Sequence, residues 1–82
     1  MYLVTESKTK ENQLGYSTRT KEYVYFRDGI EKWREKGDTT LLDYFNEIRA
    51  KHETINEHDI QDNIIWRKYI ESCSEYEKPR FR

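Results

Sequence analysis

The side chains able to do chemistry are few: two histidines, His52 and His58, one cysteine, Cys73, and many carboxylates. A structural zinc site draws four ligands from closely spaced Cys and His pairs. His52, His58, Cys73 and the neighbouring Asp59 supply no such pairs and no second cysteine, so no metal site is expected. Carboxylates such as Glu57 and Asp59 stand close together, but in a charge-rich setting that is ordinary. Catalytic acids and bases need partial burial to move their pKa. Cys73 has Glu71, Glu75 and Glu77 as neighbours in sequence, and their charge disfavours a reactive thiolate. It reads as a small hydrophobe. No dinucleotide fingerprint, P-loop, zincin motif or nucleophile elbow occurs, and three glycines in the whole chain cannot build a phosphate-wrapping loop. The expectation is a protein that is not an enzyme, with no catalytic residue and no cofactor.

Aromatic and basic residues give better material for a site. Arg19, Lys21, Tyr23, Tyr25 and Arg27 occupy alternate positions of one expected strand, which sets them on one face. Cations interleaved with exposed aromatic rings can stack bases and neutralise phosphates. Lys78, Arg80 and Arg82 around Phe81 add a basic tail. RNA or single-stranded DNA is therefore one expected partner. Against it stands a formal net charge of −1, since nucleic-acid binders carry a basic footprint.

The elements that must position these residues follow from periodicity. Met1–Ser7 alternates as a short strand, Lys8–Gly15 reads as a hairpin loop, and Tyr16–Arg27 reads as a second strand. A break near Thr20–Lys21 would divide that stretch in two. Asp28 and Glu31 have capping-box spacing and predict a short helix carrying Ile30 and Trp33 and stopping at Gly37. Thr40 and Asp43 open a second helix, on which Leu41, Tyr44, Phe45, Ile48 and His52 form one inward stripe. Asn56 and Asp59 open a third, running to about Tyr76. The fold class expected is α+β, an N-terminal antiparallel β-hairpin of two or three strands followed by three helices. Residues 1–77 form the domain and 78–82 the basic tail.

The third helix has two apolar sides. Ile60 and Ile64 lie on one, and Ile65, Trp66, Tyr69, Ile70, Cys73 and Tyr76 occupy an arc on the other. One side is expected to be core and the other an interface.

Length and composition bound what such a chain can hold. Its 82 residues fit one domain, with 34% apolar, 38% charged and 15% aromatic residues. Leu, Ile and Val are scarce, so aromatic rings supply most of the large buried area. The expectation is more aromatic surface than so short a chain can hide by itself. Charge is segregated: residues 1–37 carry eight Lys/Arg and six Asp/Glu (+2), residues 38–66 two and seven (−5), and residues 67–82 five and three (+2). No apolar run is long enough to cross a membrane or serve as a signal peptide. A single cysteine suits a reducing compartment, so the expected location is cytoplasmic.

Together these readings favour stoichiometric binding. Tyr23, Tyr25, Trp66, Tyr69, Ile70 and Tyr76 are the expected contact residues for a larger protein partner, because Tyr, Trp and Arg carry most interface energy. The alternative is a nucleic-acid-binding regulator working through Arg19, Lys21, Tyr23, Tyr25, Arg27 and the tail. A homodimeric assembly subunit is a third reading. The Lys/Glu/Asn/Ile/Tyr-rich composition resembles that of small accessory proteins of large bacteriophages, which implies a regulator that inhibits or redirects a host or defence protein.

Overall fold

The computed structural model describes residues 1–73, apart from the side chain of Glu57. Four strands come first, β1 (Tyr2–Glu6), β2 (Asn12–Ser17), β3 (Glu22–Arg27) and β4 (Ile30–Lys36), followed by two helices, α1 (Thr40–Lys51) and α2 (Ile64–Ser72). The strands form one antiparallel meander in the order β1-β2-β3-β4. The expected hairpin with three helices is therefore corrected: the segment 30–36 is a fourth strand, and among the described residues two α-helices follow it.

The reason lies at Asp28-Gly29. Both residues have positive φ, 53° and 81°, the backbone of a two-residue hairpin turn that matches the twist of its strands. That turn outcompetes the capping-box reading of Asp28 and Glu31. Once β3 turns back, Trp33 pairs with Tyr25 and stacks on it, with ring centroids 5.4 Å apart and planes 24° from parallel. The long-range contact makes a strand of a segment whose local pattern suits a helix. The other two hairpins turn through Lys10 and Lys21, also at positive φ.

Helix α1 forms where the apolar spacing requires it. Leu41, Leu42, Phe45 and Ile48 are buried. Thr39 precedes it without a side-chain cap bond to the backbone. Asp38 Oδ1 accepts from Thr40 N at 3.1 Å, and the sheet adds a second tie: the Tyr23 hydroxyl accepts from Leu42 N at 3.2 Å and donates to Asp38 O at 2.7 Å. His52 ends the helix in the left-handed region, with φ 57°. It is exposed and does not continue the inward stripe.

The expected third helix starting at Asn56 is also corrected. Asn56 Oδ1 accepts from His58 N at 3.1 Å and opens only the short 3-10 turn Glu57–Asp59. The true N-cap is Asn63, whose side chain accepts from Trp66 N at 3.0 Å. The two apolar sides separate accordingly. Ile60 is buried from the connecting segment, while Ile65, Trp66, Tyr69 and Cys73 pack inward from α2 and the next turn. Ile64 is left exposed at the start of the helix.

Both helices cover the same sheet face, and the core lies between them. Six aromatic rings run through it in sequence of contact: Trp33, Tyr25, Tyr69, Trp66, Phe45 and Tyr44, with neighbouring centroids 5.4–5.9 Å apart. Offset and edge-on pairs at such separations add to what area burial alone supplies. Among the described residues no helix is long and apolar enough to cross a membrane.

Candidate functional site

The expected contact residues lie inside the fold. Tyr23, Tyr25, Trp66 and Tyr69 are 1%, 2%, 3% and 1% exposed, and Ile70 is half-buried against the same core. Tyr76, Lys78, Arg80 and Arg82 lie outside the described residues. The aromatic surplus is thus largely hidden by the chain's own helices, contrary to the expectation that another molecule must cover it.

Strand β3 points the opposite way from the one its tyrosines suggest. Tyr23 and Tyr25 face the helices, so neither ring is open for stacking on a base. Arg19 sits in the exposed turn with Lys21, and Arg27 ends β3 with its guanidinium 3.8 Å from the Glu11 carboxylate. The five residues share a sequence parity but not an open surface. Burial raises the pKa of both tyrosines. Tyr25 donates to Asn12 Oδ1, and Tyr69 donates to Asn12 O at 3.3 Å. These hydroxyls are bound up in structure.

Among the described residues, neither helix covers the other face of the sheet. Two rows cross it in register: Leu3, Gly15, Val24, Arg34 and Glu6, Gln13, Phe26, Glu31. Gly15 leaves a gap that the Met1 side chain fills; a Cβ there would stand 2.7 Å from Met1 Sδ. Val24, next to Gly15 in the same row, is 0% exposed, while Met1 and Leu3 are 67% and 46% exposed. Phe26 is half-buried in the next row, between Gln13 and Glu31. The result is a shallow apolar strip about two residues wide with charge on its far flank. Arg34 Nη1 and Nε stand 2.8 Å from Glu22 and Glu31 respectively. The guanidinium holds both carboxyls below the usual glutamate range and is itself held protonated more firmly by them.

This strip was not legible as a site. Tyr23–Phe26 is apolar at both parities, so alternation alone cannot say which pair faces the core. The one available signal is that same double-sided run, which implies apolar residues on both faces.

The helical side carries a second concavity, a hollow of about 560 Å³ whose walls include Tyr44, Ile48, His52 and Asp59. The Tyr44 hydroxyl there donates to Asn56 O and accepts from Asn56 N, both at 3.0 Å. His52 and His58 are exposed and Cys73 is buried. Among the described residues no cluster of three or more His, Cys, Asp or Glu could hold a metal ion.

What the geometry defines is a four-stranded antiparallel meander, covered by helices on one side and presenting a small apolar strip on the other. No family model matches the chain, and neither the curated proteins nor the solved structures contain a match to it.

Proposed function

We propose that this chain is a non-enzymatic protein that binds another protein stoichiometrically, using the helix-free face of its sheet. One observation carries the reading: Met1 and Leu3 are exposed beside Gly15, and Phe26 is half-buried in the next row, on a sheet face that neither described helix covers. Exposed apolar side chains grouped on a rigid surface, with charge at the margin, have the anatomy of a contact site. Its size sets the expected strength. Four strands about 4.8 Å apart and about six residues long give a face of roughly 350 Å². That is below the ~800 Å² per partner of a standard interface, so the sheet face alone supports a weak or transient complex. The single buried thiol, Cys73, supports placing the protein in a reducing, cytoplasmic setting.

The test is affinity capture with the wild type and with Leu3→Glu and Phe26→Glu, each with and without nuclease. The expected result is a partner protein retained by the wild type despite nuclease and lost by both variants. Retention by folded variants would refute the reading, and loss of the partner on nuclease treatment would replace it with a nucleic-acid one.

A further inference from the structure

The two edges of the sheet are protected by different means. Strand β4 presents Glu31, Lys32, Arg34, Glu35 and Lys36 among its seven residues. Charge at that density resists pairing with another strand, because an incoming copy would bring like charges together. Strand β1 has no such defence. It reads Tyr-Leu-Val-Thr-Glu, β-favouring residues with one charge at the far end, the kind of segment that recruits a further strand. Tyr2 and Leu3 are exposed, and among the described residues no strand lies on the outer side of β1.

Arg49 stands at that edge. From the last turn of α1 its guanidinium donates through Nη1 to Val4 O at 2.7 Å and through Nη2 to Leu3 O at 3.2 Å. Asn46 Oδ1 accepts from the same Nη2 at 2.6 Å and steadies it. One guanidinium reaches two successive carbonyls because the pairing of β1 with β2 slips between Leu3 and Thr5. A bulge of this kind breaks the alternation of backbone groups. A planar fork of donors that stays charged is well suited to hold both acceptors.

We infer that Arg49 guards the β1 edge: it occupies carbonyls that a further strand would use, and its removal lets a second copy of the chain pair through its own β1. The occupant is a second copy because β1 pairing with β1 about a two-fold axis is self-complementary and closes. Its uncharged stretch Tyr2–Thr5 opposes no like charges in that arrangement.

The experiment is light scattering coupled to size exclusion, from micromolar to millimolar chain, on the wild type, Arg49→Ala and Arg49→Met. The methionine keeps the aliphatic stem on α1, separating loss of packing from loss of the guard. The wild type is expected at the mass of one chain throughout, and both variants at a mass rising twofold with concentration. Adding Leu3→Lys to either variant sets the two new charges beside each other near the centre of that antiparallel pairing and returns the mass to one chain. Folded variants that stay monomeric at millimolar concentration would overturn the inference, as would a dimer indifferent to Leu3→Lys or a wild type that already pairs. If both variants fail to fold, Arg49 is structural and the inference falls.

Discussion

Replacing Tyr23 by Phe removes one oxygen and tests how α1 is anchored. The hydroxyl accepts from Leu42 N at 3.2 Å, an amide of the first helical turn, and donates to Asp38 O at 2.7 Å. Thr39 supplies no side-chain cap, and Leu42 and the Tyr23 ring are both buried, so water cannot easily take the oxygen's place. Loss of an N-cap bond costs about 1 kcal/mol, and a buried group left without a partner costs about 1–3 kcal/mol. Together the expected destabilisation is about 2–4 kcal/mol, which in a domain of this size lowers the melting temperature by about 8–32 °C. Tyr16→Phe is the internal control. Its ring packs against Tyr23 at a centroid distance of 4.6 Å, but its hydroxyl makes a single 3.3 Å bond to Gly37 O. The expected loss there is about 0.5–1 kcal/mol. Urea and thermal melts followed by circular dichroism read both variants. An unchanged m-value with a lowered midpoint is expected, since the surface exposed on unfolding is the same. If Tyr23→Phe costs no more than Tyr16→Phe, the sheet does not cap the helix and the reasoning is wrong.

Two further outcomes follow from backbone and burial. His52 holds φ 57°, where an L-side chain is strained and glycine is not, so His52→Gly should stabilise by roughly 0.5–1 kcal/mol despite the added freedom of the unfolded chain; a fall in urea midpoint would contradict this. Burial raises the Tyr23 and Tyr25 pKa above the ordinary 10.0, so the folded chain binds more protons than the unfolded one at alkaline pH. Stability is then full below pH 10.0 and lost as pH rises through the folded values. Tyrosinate absorbance should appear together with loss of far-ultraviolet ellipticity; full ionisation of a chain that stays folded would show these phenols are not buried.

How much of this was readable in the sequence depended on the range of the deciding contact. The α1 stripe of Leu41, Phe45 and Ile48 is local, and the structure buries it. The turn between β2 and β3 falls at 18–21, where the break was legible. Strand β4 was not, because Asp28 and Glu31 are spaced like a helix cap while Asp28-Gly29 is also a hairpin turn. Trp33 settles the conflict only through Tyr25 on another strand. The third helix was read seven residues too early because Asn56 and Asn63 both look like caps. Only Asn63 is followed by residues whose burial can hold a helix in place. The apolar strip was hidden by Tyr23–Phe26, whose two parities are both apolar. Nothing local to Arg49 says that its guanidinium ends on strand β1.

The tyrosines explain why the exposed apolar surface of the sheet is small. A core short of Leu, Ile and Val must take its area from rings, and a buried phenol must find a partner for its hydroxyl. Here each does so at a joint of the chain: Tyr16 on Gly37, Tyr23 on Asp38 and Leu42, Tyr25 on Asn12, Tyr44 on Asn56 and Tyr69 on Asn12. The same residue type therefore fills the core and ties strands to helices across it. Turning Tyr23 or Tyr25 outward to meet a partner would empty the core and release these ties together. That coupling commits the rings to the interior, and it leaves Met1, Leu3 and the half-buried Phe26 among the apolar groups the sheet presents without unfolding.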